Sequence, residues 1–495
     1  MIDRYINSEI EKYWSNEFKL QLWQKTELAV INAMEVLGKV PQGVYSKTEV
    51  LLKTNQINIQ WWLNKEKEIR HDLNAFILER MRFLPPELQS YFHKNLTSYD
   101  TEEPAFTGIL SASSELVDIV CSRLIETMKS QAVKYRYTIM NGRTHGQEAV
   151  IQSFGKRWLT WIQAFNISWE NMRLALDNLV YSKLSGAVGN YGSIDPDVEK
   201  KALEILGFRP FYGATQIMPR ELYAPLAQSL YQIVETLNKI ALDIRLGARS
   251  GNPICREPFG KKQTGSSAMP HKKNTISCEQ IEGMARLAEG DCLAIMRGIQ
   301  TWEERAIEQS CVERVAWPDL FHIVMHCLSV MDKVLSGLVV CPQNMLREIV
   351  ESRGTYASSE AKEFLKELGS EHGLSAEDAY KIVQLATFNV FNPNENEQPF
   401  SAPLESFSAA DSALTTFSEL IEKSKHISSI REIIPLGKLK VSDELDIAAE
   451  QVNEWNELLS IIFNTREIHQ EWLKIFTPSF LLRNEEVLYE QILGI

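Results

Sequence analysis

From Ile109 to Asn141 the chain contains neither glycine nor proline, and its apolar residues recur at spacings of three and four. So long a stretch without a helix breaker, at that period, predicts a long α-helix. Lys156 to Ser185 repeats the pattern, with Trp158, Trp161, Ile162, Phe165, Met172, Leu176, Leu179 and Val180 forming a broad apolar face. Pro225 to Leu246 and Asp319 to Val340 supply two more long candidates. Several of these segments are apolar on more than one face, so they need burial on several sides, as in a multi-helix bundle or an oligomer core. Period-two alternation is never sustained. The expected class is all-α.

Ahead of the long segments, Ser8-Glu9-Ile10-Glu11 has the form of a helix capping box. Phe18, Leu22, Leu28, Ile31 and Leu37 follow at helical spacing until Gly38 and Pro41 stop the run. Arg4-Tyr5, before the box, reads equally as a frayed terminus or as a ligand pair. Glu68 to Leu73, which includes Arg70-His71-Asp72, falls inside a helix-like segment ending before Pro85-Pro86. Thr97 and Ser98 stand where a helix starts, as plain caps or as polar contacts. Asn392 to Ser412 is a polar interlude that reads as a loop or insertion, and Leu414 to Ile495 reads as helical again.

Acidic residues outnumber Lys and Arg by 65 to 52, a net charge of -13, so nucleic acid is not expected as a general partner. An anionic small molecule would need a local cluster of Arg, Lys and His. The seven cysteines are scattered, odd in number and without a C-x-x-C pair, which fits a reducing cytoplasm and neither a disulfide framework nor a zinc knuckle. No signal peptide and no run of about 18 apolar residues is expected. His322 and His326 have the i, i+4 spacing of some metal pairs but sit among apolar residues, so they are expected to pack and not to bind metal.

Chemistry concentrates in Gly265-Ser266-Ser267-Ala268-Met269-Pro270-His271-Lys272-Lys273-Asn274. Two hydroxyls, a histidine, two ammonium groups and a carboxamide share a stretch that glycine and proline keep out of a helix interior. Helical character resumes from Thr275, with Glu279 in the early turns. A donor-rich loop running into a helix start suits an anionic group. Gly142-Arg143-Thr144-His145-Gly146-Gln147 places a histidine between glycines, hence on a loop. Arg305, Ser310 and Arg314 lie among four glutamates, with which salt bridges are the simple expectation.

In this order the segments resemble the fumarase/aspartase superfamily and, within it, the adenylosuccinate lyase family. Ser266 to Asn274 is similar to the family's S-S-x-M-P-x-K-x-N signature, and Gly142 to Gln147 to its G-R-T-H-G-Q block. Arg4-Tyr5, Arg70-His71-Asp72, Thr97-Ser98-x-Asp100, Thr215-Gln216 with Arg220, and Arg305, Ser310 and Arg314 resemble its remaining elements, from Arg4 to about Gln384. The resemblance implies β-elimination of a C–N bond, releasing fumarate from a succinyl-amino nucleotide without metal or organic cofactor. It implies Ser267 as general base and His145 as general acid supported by Glu279. Lys272 and Asn274 would hold the succinyl carboxylate beside the loop amides near Ser266 and Met269. His71, His93, Thr97, Ser98 and Gln216, with Arg70 and Asp72, would contact substrate. Arg4, Tyr5, Arg305, Ser310 and Arg314 would cradle the 5′-phosphate.

The fold so implied has three helical domains, at 1–108, 109–342 and 343–495, in a homotetramer whose core is the long-helix bundle and whose sites are shared between subunits. The sequence departs from the family at Thr275, Pro219, Glu221, Glu303 and Gln309, which bears on substrate fit, and its C-terminal part is longer than usual. A sister lyase for another succinylated amine, of argininosuccinate or carboxymuconate type, is the next reading, and a non-catalytic paralogue the third. The Arg4, Arg305 and Arg314 set counts against the former, and intact Ser267, His145 and Lys272 against the latter.

Overall fold

The computed structural model describes residues 1–352, 354–370, 375–377, 379–380, 383–384, 471–472 and 474–495. The polar interlude Asn392 to Ser412 lies outside these residues, as does most of the expected helical tail from Leu414. Helices dominate the described residues, as the sequence predicts, and they form two compact units.

The first unit comprises Met1–Glu126, Ala164–Asp243 and Lys262–Leu335. Its opening differs in detail from the expected capping box. Helix α1 (Ser8–Glu11) is capped by Asn7, whose Oδ1 accepts from the N–H groups of Glu9 and Ile10 at 2.9 and 3.3 Å. Asn caps as well as Ser does, and one residue earlier it takes the role. Glu11 instead pairs with His322 Nε2 at 2.9 Å, and the Asn7 N–H donates to His322 Nδ1 at 3.2 Å. The buried His322 is thus a satisfied packing residue.

Ser15 starts the long helix α2 (Asn16–Val36), accepting from the Phe18 N–H. Lys39 N–H then bonds Met34 O and Gly38 N–H bonds Glu35 O, with Gly38 at φ +69°. That pair of bonds is the left-handed stop that a glycine allows at no steric cost. Helix α3 (Val44–Thr54) follows. Next, α4 (Ile59–Ile69) and α5 (Asp72–Met81) split the segment expected to be one helix. Arg70 takes a left-handed φ of +55° and ends α4, and His71 caps α5 by accepting the Asn74 N–H on Nδ1 at 3.3 Å. Leu20, Trp23, Val30, Ile31, Met34, Trp62, Phe76 and Phe92 fill the core between these helices.

After α6 (Pro86–Gln89), helix α7 (Ser98–Lys134) begins at Thr97, whose N–H donates back to Asp100 Oδ2 at 2.9 Å. In its first turns Tyr99, Asp100 and Glu103 are buried, whereas Glu102 is half-buried. The Asp100 carboxylate is fully buried against Lys183 Nζ at 2.8 Å and the Gly186 N–H at 3.1 Å. Among described helices α7 alone is long and apolar enough to pass for a membrane span, but 44% of that window is buried inside the protein. Leu110, Val117, Cys121 and Leu124 make it a core helix.

The rest of the first unit adds residues 164–177 of helix α8 (Phe154–Asp177), α9 (Pro196–Leu206) against α2, and the short parallel pair β3 (Tyr181–Ser182) and β4 (Arg209–Pro210). It also contains most of α10 (Ala224–Gly247), α11 (Ile276–Arg297) and α12 (Ile307–Ser336). At its centre Arg220 is 4% exposed. Its Nε and Nη2 donate to the two Glu313 oxygens at 2.8 and 2.9 Å, and Nη1 donates to Glu103 at 2.6 Å and to Met218 O at 2.8 Å. Burial pulls the pKa of this guanidinium down, but the two carboxylates outweigh it and hold the pKa well above the ordinary value.

The second unit comprises Thr127–Gln163, Ile244–Lys261 and the described part of Ser336–Ile495. It is built on an antiparallel hairpin, β1 (Ile139–Thr144) and β2 (Gln147–Ser153), paired from Ile139↔Ser153 to Thr144↔Gln147. The register slips between Asn141 and Arg143, at Gly142, where a Cβ would lie 2.8 Å from Val150 O. A second pair, β5 (Cys255–Arg256) and β6 (Val339–Val340), leads into α13 (Pro342–Glu351) and α14 (Ser358–Ser370). Two short helices, α15 (Pro478–Leu481) and α16 (Glu486–Leu493), end the chain.

Helix α16 closes on the base of the hairpin. The Ser153 N–H donates to Glu485 at 3.1 Å, Arg136 Nε donates to Glu486 at 3.2 Å, and the Arg136 guanidinium lies 4.5 Å from the centre of the Tyr489 ring. Gly155 makes room: a Cβ there would strike the Tyr489 hydroxyl and come within 2.6 Å of Ala132 O and 2.8 Å of Arg136 Cα. Gly155→Ala is therefore expected to destabilise the protein by about 1–3 kcal/mol through overpacking. A thermal melt indistinguishable from wild type would show that α16 yields at no cost.

Candidate active site

In the first unit, the opening turns of α7 collect several of the residues expected to bind substrate. His93 sits just before it at φ +55°. Its Nδ1 is 2.7 Å from Glu27 Oε1, and its N–H donates to Glu27 Oε2 at 3.0 Å. Burial would lower the His93 pKa, but the Glu27 carboxylate and this hydrogen bond outweigh it and leave the pKa raised. Thr101 Oγ1 donates to the same carboxylate at 2.6 Å. Glu27, 1% exposed, is thus a fixed acceptor that orients the imidazole.

Thr97 and Ser98 are half-buried at the α7 start. Gln216 is tied to the same region: Lys183 donates to its backbone O at 2.9 Å, and its Nε2 donates to Ala187 O at 3.0 Å. Its Oε1 accepts from Arg305 Nη1 at 3.1 Å. Arg305 therefore does not pair with the neighbouring glutamates, as was expected. It precedes α12, outside helical i, i+4 spacing, and its guanidinium lies over the Tyr99 ring, 4.1 Å from the centre. Its Nε is buried and unpartnered. Ser310, 4% exposed, donates to Ile307 O at 3.1 Å.

Arg314 also avoids its glutamate neighbours, donating to Asp72 Oδ2 at 3.0 Å while 57% of its side chain stays exposed. His71 Nδ1 is 3.9 Å from Asp72 Oδ1, and Arg70 is exposed beside it. Arg4 and Tyr5 stand apart on the turn Asp3–Tyr5, where Tyr5 packs edge-on against His326 with ring centres 5.1 Å apart. Among the described residues no hydrogen bond or ion pair joins either of them to Arg305, Ser310 or Arg314.

The loop before α11 is folded on itself. Ser266 N–H donates to Lys272 O at 3.3 Å, Lys272 N–H to Met269 O at 2.9 Å, and Met269 N–H to Ser266 Oγ at 3.3 Å. A Cβ on Gly265 would come within 2.6 Å of Pro270 O, so only glycine permits this closure. Ser267, Met269 and Lys272 are exposed and Asn274 is half-buried. Glu279, in the first turn of α11, accepts from Thr275 Oγ1 at 3.4 Å.

In the second unit His145 and Gly146 are the two-residue tip of the hairpin, with φ +53° and +79°. Two successive positive φ values define the turn whose twist matches the flanking strands. The histidine is thereby held in a conformation that costs energy and leaves its ring exposed. Arg143, behind it, is flanked by Glu148 at 3.3 Å and Glu348 at 2.9 Å.

Sequence reasoning missed Glu27, Lys19 and Tyr99. The first was findable: Glu27 falls on the Leu20, Trp23, Val30, Met34 stripe of α2, where a charge needs a buried partner. Lys19 lies 4.8 Å over the Trp62 ring and 5.1 Å over the Trp23 ring, and burial lowers its pKa. Nothing in the sequence marks that contact.

Comparison with known proteins follows this geometry. A family model described as Lyase matches residues 6–290. The adenylosuccinate lyase of Aquifex aeolicus is 35% identical over 404 residues, 82% of this chain and 91% of that protein. The adenylosuccinate lyase of Synechocystis is 32% identical over 88% of this chain and 99% of that protein. Among solved structures, a fumarate lyase from Mesorhizobium sp. BNC1 superposes with a TM-score of 0.75 at 18% identity, covering 100% of this chain and 99% of that one. A β-carboxy-cis,cis-muconate cycloisomerase from Acinetobacter calcoaceticus gives 0.73 at 18% identity over 99% and 98%.

Proposed function

Since the chain belongs to the adenylosuccinate lyase family of lyases, we propose that it cleaves adenylosuccinate to AMP and fumarate. It acts likewise on succinylaminoimidazole carboxamide ribotide, giving AICAR, in purine biosynthesis. The observation that carries this reading is the 35% identity to an adenylosuccinate lyase over 91% of that protein's length. The elimination removes a proton from Cβ and builds a doubly charged aci-carboxylate, which needs donors already in place. Ser267 takes that proton once the loop has closed, and Lys272 and Asn274, with the loop amides near Ser266 and Met269, hold the carboxylate. As the C–N bond breaks, its electron pair leaves with the nitrogen, and His145, supported by Glu279, protonates it. An imidazole both gives and takes protons near neutrality, which suits that transfer.

His71 and His93, with Arg70, Asp72, Thr97, Ser98 and Gln216, position the substrate. Arg305, Ser310 and Arg314 bind the 5′-phosphate, joined by Arg4 and Tyr5. The buried, unpartnered Nε of Arg305 supports an anion there. The working form in this reading is a cytoplasmic homotetramer of three-domain subunits with shared sites, divided at 1–108, 109–342 and 343–495.

Fumarate release, followed by absorbance, tests the reading. Adenylosuccinate should turn over, its dephosphorylated nucleoside poorly. Arg305→Ala should raise KM for the nucleotide by about 10- to 100-fold, the worth of a charge-assisted hydrogen bond of about 1.5–3 kcal/mol. Equal turnover of nucleoside and nucleotide would sink the purine assignment and put a sister lyase first.

A further inference from the structure

Glu27 has no part in the proposed chemistry, yet it holds His93 at two points. It lies on α2, 1% exposed, and three donors converge on its carboxylate. Thr101 Oγ1 donates to Oε1 at 2.6 Å, the His93 N–H donates to Oε2 at 3.0 Å, and His93 Nδ1 lies 2.7 Å from Oε1. A carboxylate only accepts, so Nδ1 carries the proton of that contact. Nε2 is then the ring nitrogen left for a ligand, and among the described residues no hydrogen bond or ion pair is assigned to it. The backbone is fixed by the same group, since His93 holds a left-handed φ of +55° with its N–H on Glu27.

Charge points the same way. A carboxylate so buried needs a counter-charge, and among the described residues His93 is the only ion-pair partner of Glu27. Asp100 on α7, the other acid that faces the ring, is already paired with Lys183 at 2.8 Å. A neutral ring would leave Glu27 as a bare negative charge beside a site for an anionic substrate.

We propose that Glu27 is a positioning residue of the substrate site that acts through His93: by holding the backbone N–H and Nδ1–H of that residue, it presents Nε2–H of an imidazolium to an anionic group of the substrate. The His93 pKa supports this. Burial lowers it, but the Glu27 charge and hydrogen bond, with the Asp100 charge behind them, leave it raised. The imidazolium is therefore present below that raised pKa and is lost as the pH climbs through it. Without the Glu27 charge, burial is opposed by Asp100 alone, and the ring discharges at lower pH. The inference rests on the proposed function for its substrate.

The test is fumarate release from adenylosuccinate by the intact enzyme, with KM and kcat measured from pH 6 to 9. Wild-type KM should rise only toward the alkaline end. Glu27→Gln, which keeps the shape and removes the charge, should have a KM about tenfold above wild type at pH 8, the difference between a charged and a neutral donor. That gap should close toward pH 6 as protons recharge the ring, a repair that a misfolded site would not show. In a His93→Gln background the same change should add nothing to KM, because the residue it acts through is gone. Inhibition by AMP and by fumarate identifies the anion. The inhibition constant that weakens in Glu27→Gln names phosphate or carboxylate, and a variant that weakens neither overturns the inference. A KM gap independent of pH overturns it too. So does a wild-type KM with the same pH dependence as that of His93→Gln, whether or not Glu27→Gln folds. No fumarate from wild type at any pH is a different result, which removes the proposed function itself.

Discussion

Ser267→Ala should lower kcat by about 10²- to 10⁴-fold, the usual worth of a general base, while substrate binding stays near wild type. The hydroxyl is exposed on a loop whose own hydrogen bonds run through Ser266, Met269 and Lys272 and do not involve Ser267. Its removal should therefore leave the loop's shape and the protein's melting temperature unchanged. Ser266 is the internal control. Its Oγ accepts the Met269 N–H at 3.3 Å, so Ser266→Ala should loosen the loop and move KM and kcat together. Stopped-flow fumarate release for both variants separates the two. Turnover within tenfold of wild type in Ser267→Ala would remove that residue from the base role. A loss confined to KM would make it a binding contact.

Local signals were legible in the sequence and distant partners were not. The glycines beside His145 place it on a turn, as found at the hairpin tip, whereas the strands on either side, β1 and β2, carry no sustained period-two pattern and were not legible. The long helices are placed by period, but their bounds differ. Helix α7 starts at Ser98, across Pro104, and ends at Lys134, short of the expected Asn141. Helix α12 starts at Ile307, across Pro318, and ends at Ser336, short of Val340, and α8 ends at Asp177, short of Ser185. The break at Arg70-His71 is hidden because Glu68 to Leu73 contains no glycine or proline, the residues that usually mark a left-handed helix end. The same limit applies to the cations. Arg305 and Arg314 lie amid glutamates in sequence, but their partners Gln216 and Asp72 are 89 and 242 residues away. Periodicity cannot report a pairing at that distance.

Glu313, the one glutamate between those arginines that is buried, is taken by Arg220, and there the largest stability effect is expected. Arg220→Met should destabilise the fold by about 3–5 kcal/mol, because it strands the Glu103 and Glu313 carboxylates without a counter-charge in a site closed to water. Tyr223 and Gln309, already hydrogen-bonded to those acids, cannot neutralise two charges. Glu103 belongs to α7 and Glu313 to α12, so the guanidinium also ties together the helix that carries Tyr99 and the one that carries Ser310, with Arg305 just before it stacked on Tyr99. A loosened network should therefore raise KM for the nucleotide before the protein melts. Neutralising the acids discriminates charge from packing. The triple variant Arg220→Met, Glu103→Gln, Glu313→Gln should recover most of the lost stability, since no unpaired charge remains, yet should not restore KM, since the clamp is gone. Denaturant midpoints compared at one protein concentration measure the first effect, since self-association would otherwise shift them. If Arg220→Met alone costs under about 1 kcal/mol, water reaches the acids and the network is not the anchor of the cradle. If the triple variant is no more stable than the single one, shape and not charge holds α7 to α12.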